Sequence, residues 1–146
     1  VYKDEQLILD ANILIRAVLA KRVRELLCRY GATVRFFAPV SAFEEAREHL
    51  PAILSRRNIP VSEGLSVLET LGEIVQELHP ERYSALENVA RQRLAGRDPE
   101  DWPVLASALA LQCPIWTEDT DFFGAGIAIW TTDRVELFLQ EAQNLQ

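Results

Sequence analysis

Four acids in this sequence stand where chemistry is done: Asp10, Glu45, Asp101 and Asp119. Asp10 and Asp119 each follow a short apolar run that reads as a buried strand, and Glu45 and Asp101 each fall in the opening turns of a helical pattern. In an open α/β sheet, the carboxyl ends of strands and the amino ends of the helices that follow them share one edge, so all four carboxylates can face one crevice. Carboxylates that close repel one another and raise each other's pKa unless a cation sits among them. Magnesium or manganese meets that need, because hard cations take carboxylate and water oxygens. Such a site suits phosphate esters: the cation fixes and polarises the phosphate and makes a bound water a better nucleophile. Each acid also has a plainer explanation. Asp10 or Asn12 can simply cap a helix, Glu45 can be a solvated acid, and Asp98 and Asp101 are favoured in a first turn by the helix dipole.

The elements that must position these residues are legible in order. Gln6-Leu7-Ile8-Leu9 reads as a strand, and a first helix from about Asn12 is followed by a second apolar stripe (Val23, Leu26, Leu27, Tyr30) that stops at Gly31. Val34 to Ala38 reads as the second strand, and a strand, a crossover and a strand in this order imply a parallel pairing. The next helix spans residues 41–57. Its opening Ser41-Ala42-Phe43-Glu44 matches a capping box, which occupies Glu44 and leaves Glu45 free. Residues 61–94 read as two helical pieces broken at His79-Pro80, a helical insertion in the middle of the chain placed to cover a site or form an oligomer contact. Arg91, Arg93 and Arg97 close it, as a solvated face or as phosphate contacts at a rim. Asp98-Pro99-Glu100-Asp101 leads into the apolar helix from Val104 to Leu111. Cys113 to Thr117 is a third strand, Ile127 to Trp130 a fourth, and Asp133 with Glu136 opens a last helix.

The expected fold class is therefore α/β, a three-layer arrangement of a parallel β-sheet flanked by helices, in one domain over residues 1–146. The net charge of -7 argues against general binding to nucleic acid through a basic surface, yet acids gathered round a cation would leave the arginines free to line a rim. Lys3, Asp4 and Glu5 do not suit a signal peptide, and the longest apolar run is too short to span a bilayer, so a cytoplasmic protein is expected. Cys28 and Cys113 suggest no disulfide or zinc framework, and each is expected to be a small core residue. The three tryptophans read as packing residues.

Taken together, Asp10-Ala11-Asn12, the helix glutamate Glu45, Asp98-Pro99-Glu100-Asp101 before an alanine-rich helix, and Thr117-Glu118-Asp119 with Asp121-Phe122 resemble the PIN-domain ribonucleases, the family that includes the VapC toxins. The resemblance runs through nearly the whole chain. It implies a five-stranded parallel sheet, although four strands are legible here, and RNA cleavage with magnesium or manganese held by Asp10, Glu45, Asp101 and Asp119. Asn12 and Thr117 would support Asp10 by hydrogen bonds, a role outside the metal's own ligands. Glu44 could replace Glu45 with a helix starting one residue later, Asp98 could join Asp101, and Asp121 could share duty with Asp119. The resemblance further implies products with a 5′-phosphate and a 3′-hydroxyl, self-association into a homodimer or other homo-oligomer, and a small antitoxin protein as partner. The alternative within the same fold is a catalytically silent scaffold that binds RNA or a protein. A phosphatase or receiver of the aspartyl-phosphate kind fits poorly, because no lysine follows Lys21. Zinc held by Glu45 and His49 lacks further histidine or cysteine ligands.

Overall fold

A computed structural model describes residues 5–144. Five short strands, β1 (Gln6–Leu9), β2 (Arg35–Pro39), β3 (Val75–Leu78), β4 (Ile115–Trp116) and β5 (Ile129–Trp130), form one parallel sheet in the order β3-β2-β1-β4-β5. Seven α-helices flank it: α1 (Ala11–Leu19), α2 (Lys21–Tyr30), α3 (Val40–Arg56), α4 (Val61–Leu71), α5 (Glu87–Arg93), α6 (Trp102–Leu111) and α7 (Val135–Asn144). The three-layer α/β class expected from the sequence is the one observed.

Strand side chains alternate between faces with a period of two, and the two cores follow that alternation. Leu7, Leu9, Phe36, Ala38, Val75 and Trp116 point to the side of α1 to α4 and α7, where Leu14, Leu27, Phe43, Leu50 and Leu139 are buried. Ile8, Phe37, Leu78 and Ile115 point to the other side, where Tyr83, Leu94, Leu105 and Ala108 cover them. With both faces covered, the strands can be apolar without break, as a parallel sheet requires.

Residues 61–94 depart from the sequence reading. They contain helix α4, strand β3, two turns of 3-10 helix and helix α5, and β3 pairs in parallel with β2 from Phe36↔Val75 to Pro39↔Leu78. The physical reason is an edge strand whose apolar residues, Val75 and Leu78, stand three apart around exposed Gln76 and Glu77, which copies the spacing of a helix face. Gly72 is the C-cap of α4, so the helical stripe stops before Ile74. The helices α3 and α4 thus form the crossover from β2 to β3, and the segment supplies the fifth strand.

Two smaller expectations are also corrected. β2 runs straight into α3, with Pro39 (φ -62°, ψ 150°) as N-cap and no side-chain cap hydrogen bond, so the Ser41–Glu44 capping box does not form. Cys28 is exposed on the outer side of α2, whereas Cys113 is buried and its thiol is pushed up to about 12 by burial.

Candidate metal centre

The strand order reverses direction beside β1: the chain builds outward to β2 and β3, then returns to place β4 and β5 on the other flank. Ligand crevices of open α/β sheets form at such a reversal, outside the carboxyl ends of the strands. Register brings the last residues of the two central strands level, Leu9 beside Trp116, so the residues that follow, Asp10 and Thr117, emerge side by side.

Asp10 is buried, with 7% of its surface exposed. It is the N-cap of α1, and its Oδ1 accepts the Ile13 N–H at 2.9 Å, so the capping role is filled. Its Oδ2 accepts a hydrogen bond from the Thr117 hydroxyl. The same Thr117 Oγ1 accepts the Asp119 N–H at 2.9 Å, and Asp119 Oδ1 accepts the Asp121 N–H at 2.9 Å. One fully buried threonine therefore ties the acid after β1 to the loop after β4. Across the cleft, Asp98 caps the short 3-10 turn Pro99–Asp101 by accepting the Glu100 N–H, and this turn delivers Asp101 to the start of α6.

These segments enclose a cleft of about 380 Å³ lined by Asp10, Asn12, Ser41, Glu44, Glu45, Glu48, Asp98, Glu100, Asp101 and Asp119. Asp101, Asp119 and Asp121 each present a carboxylate oxygen within 4.8 Å of the others. The structure thus brings Asp10, Glu45, Asp101 and Asp119 to one cleft, with Asp98 on its wall and Asp121 beside Asp119. Glu44 and Glu45 both line it. Asn12 lines the cleft, but among the described residues it makes no hydrogen bond to Asp10, unlike Thr117. Glu48 and Glu100 were not singled out from the sequence. Glu48 stands one helical turn after Glu44 and Glu45, so helical periodicity alone predicts it on the same face.

Arg91, Arg93 and Arg97, read from the sequence as a solvated face or a phosphate rim, are engaged within the protein. Arg91 pairs with Glu87 and Glu100 and lies over the Trp102 ring. Arg93 and Arg97 donate to the backbone carbonyls of Ala125 and Asp121.

Burial first and like charge second raise the carboxyls of Asp10 and Asp101. Burial, more than any neighbour, pushes the Asp10 carboxyl up to about 6, with Asp119 and Glu45 adding to the rise and the Thr117 and Ile13 hydrogen bonds opposing it. Asp101 is pushed up to about 7, first by burial and then by the charges of Asp98, Asp119, Glu45 and Asp10. Every donor here is an oxygen, which selects hard divalent cations over zinc. Magnesium holds its ligands at roughly 2.0–2.1 Å, so opposed ligands stand about 4 Å apart. The spread among Asp101, Asp119 and Asp121 is within a small closure of that figure. The group of Asp101, Asp119 and Asp121 therefore fits a hard divalent ion.

Comparison with known proteins bears on the fold. No curated protein sequence matches the chain. Solved structures do, at identities that speak for the fold alone. VapBC2 from Rickettsia felis, in a complex with a DNA fragment, superposes with a TM-score of 0.68 at 11% identity over 86% of this chain and 98% of its own. PAE2754 from Pyrobaculum aerophilum gives 0.67 at 15% identity over 97% and 91%, and FitAcB from Neisseria gonorrhoeae 0.62 at 20% identity over 86% and 97%. The family model for the PIN domain matches residues 8–140, from the middle of β1 into α7, and the chain belongs to the PIN-domain family.

Proposed function

We propose that this chain is a metal-dependent endoribonuclease that hydrolyses RNA phosphodiester bonds with water as nucleophile, and that it is the toxin of a toxin–antitoxin pair. Membership in a family of nucleases supports hydrolase activity. The observation that carries the finer reading is the convergence of Asp10, Glu45, Asp101 and Asp119, from four separate segments, on one cleft at the reversal point of the sheet. A structural cap or a solvated helix face accounts for any one of these acids and for no such meeting of all four.

In this reading Asp10, Glu45, Asp101 and Asp119 hold magnesium or manganese, with Asp98 and Asp121 close by. The bound cation would neutralise the acids, fix the scissile phosphate and render a water acidic enough to attack at neutral pH. The chain's own residues do the positioning. The Ile13 N–H and the Thr117 hydroxyl hold both oxygens of Asp10 in place, and Thr117 sets the distance between Asp10 and the Asp119 loop. Attack by water on phosphorus, with departure of the 3′-oxygen, gives a 5′-phosphate and a 3′-hydroxyl.

Similarity in fold to the antitoxin–toxin assemblies VapBC and FitAB supports a small antitoxin protein as partner. No helix among the described residues is long and apolar enough to cross a membrane. A cytoplasmic location and a homo-oligomer complete the proposal.

Calorimetric titration of manganese into the wild type and Asp10→Asn, followed by incubation of both with mixed single-stranded RNA, tests it. Binding and cleavage that both vanish in the variant support the proposal. Full cleavage by Asp10→Asn refutes the site, and absence of binding by the wild type turns the reading to a silent scaffold.

A further inference from the structure

The loop that follows β4 carries Asp119 and Asp121; Thr117 holds its start through the Asp119 amide, buried Phe122 seats its middle, and a pair of arginines ties it to the segment on the other side of the cleft. Arg97 Nη1 donates to the Asp121 carbonyl at 2.9 Å. Arg93 Nη1 donates to the Ala125 carbonyl at 3.1 Å. Both come from the last turn of α5 and the residues just after it, and Arg97 immediately precedes Asp98, the cap of the turn that delivers Asp101. The two acid-bearing loops are therefore cross-linked at Arg97, one on each side of the cleft. The glycines of the loop fit the same arrangement. Gly124 and Gly126 have φ of +82° and +89°, and a Cβ on them would stand 3.2 Å from Arg97 Nη2 and 2.6 Å from Arg93 Nη1. The guanidinium groups lie against backbone that only glycine leaves open.

We propose that Arg97, assisted by Arg93, is a positioning residue of the metal centre: by holding the Asp121 carbonyl it keeps Asp119 and Asp121 at chelating distance from Asp101. This rests on the metal-dependent reading given above. The acids themselves cannot keep that distance, since each of them is repelled by the others until a cation binds. Arginine suits Asp121 because its rigid planar fork reaches the carbonyl while its charge offsets the acids on either side.

The sign of one measurement separates this role from its rivals. A guanidinium that acts only through its charge opposes cation binding, so its removal would tighten manganese binding. An arginine that only contacts RNA phosphate would leave manganese affinity unchanged and raise the KM for RNA. A positioning residue gives weaker binding on removal, by roughly tenfold, as for other groups that orient metal ligands. The experiment is calorimetric titration of manganese alone into wild type, Arg97→Ala, Arg97→Lys and Arg22→Ala, the last removing the same charge far from the cleft, where Arg22 pairs with Glu136. Amide hydrogen exchange of residues 119–126 is measured on the same proteins without metal.

The expected result is about tenfold weaker binding and faster loop exchange in Arg97→Ala, recovery of most of the affinity in Arg97→Lys, and wild-type behaviour in Arg22→Ala. Should Arg97→Ala not fold, Arg93→Ala, which frees only the far end of the loop, carries the test with the same sign and a smaller change. Unchanged or tighter binding in a folded Arg97→Ala overturns the proposal while the metal-dependent reading stands. No manganese binding by the wild type overturns both.

Discussion

Removing the carboxylate at the centre of the site should stabilise the metal-free protein. In Asp10→Asn the Asn Oδ1 can still accept the Ile13 N–H, and asparagine is as good an N-cap as aspartate. What disappears is a charge that burial and neighbouring acids disfavour, whose pKa is raised from 3.8 to about 6. Each pKa unit is worth about 1.4 kcal/mol, so the ionised Asp10 costs the fold on the order of 3 kcal/mol at neutral pH. That figure already contains the Thr117 hydrogen bond to the carboxylate; what the variant loses in addition is the acceptor itself, since the Asn Nδ2 replaces Oδ2 opposite the Thr117 hydroxyl, at about 1 kcal/mol. The net gain of roughly 2 kcal/mol corresponds to a Tm higher by about 4–8 °C in EDTA at pH 7.5. The pH dependence carries the sign. Because the folded-state pKa is raised, the folded protein binds more protons than the unfolded chain between pH 3.8 and about 6, so wild-type stability falls as pH rises through that window and recovers as pH is lowered. The advantage of the variant is thus full above pH 6 and gone near pH 4. Under the proposed function manganese should invert the order: at a hundredfold excess over Kd it would stabilise the wild type by about 2.7 kcal/mol and leave the variant where it was. Differential scanning calorimetry across pH, with EDTA and then with manganese, makes the comparison. A variant less stable than wild type in EDTA by a constant amount from pH 4.5 to 7.5 would refute the electrostatic account.

Manganese affinity should fall as pH drops from 8 to 5.5, because protons compete at Asp10 and Asp101, whose carboxyls are raised to about 6 and about 7; calorimetry in buffers of different ionisation enthalpy should show proton release below pH 7. Thr117→Val removes the hydroxyl that joins Asp10 to the Asp119 amide and should cost about 1–3 kcal/mol in urea unfolding, since both groups lose a partner inside the protein. Gly126→Ala places a Cβ at a φ of +89° and 2.6 Å from Arg93 Nη1, and should lower stability by roughly 1–3 kcal/mol in the same assay. Glu136→Gln should weaken the tie between α2 and α7, where Arg22 and Tyr30 hold its carboxylate below the ordinary range. The folded-state pKa is lowered, so the wild-type advantage should be present at neutral pH and lost in acid, as pH-dependent thermal melts would show.

The parts of this architecture that were legible are those written in local patterns. Leu7-Ile8-Leu9 followed by Asp10 announces a buried strand and the edge it leads to, and the same logic finds Asp119. The resemblance offers both Thr117 and Asn12 as support for Asp10; Thr117 makes that hydrogen bond, whereas Asn12, exposed at the cleft, makes no such bond among the described residues. β3 was illegible for a definite reason. An edge strand covered at one end on each face can carry its apolar residues three apart, Val75 on one face and Leu78 on the other, and the pair then imitates a helix unless Gly72 is weighed as a stop. The supposed cap at Ser41 failed because a capping box needs a non-helical residue before the helix, and the strand-to-helix junction at Pro39 leaves no room for one after it. The arginine tethers could not be read at all, since Arg97 and Asp121 meet only through the fold.

Under the proposed function, the electrostatics of the cleft sets an order of binding. With Glu44, Glu48 and Glu100 added to the four central acids, the metal-free cleft repels any polyanion, and a phosphodiester can approach only after the local charge has been reduced. Arg91 does not relieve this, because Glu87 and Glu100 hold it, and Arg93 and Arg97 offset only part of it, their guanidinium groups being turned to two backbone carbonyls at the edge of the cleft. Cation binding should therefore precede RNA binding. Filter binding of single-stranded RNA to a cleavage-defective but metal-binding variant should accordingly require manganese, with affinity tracking occupancy of the metal centre. Equal RNA affinity in EDTA and in saturating manganese would mean that RNA is held on a surface away from the acids, and that the cleft does not select it.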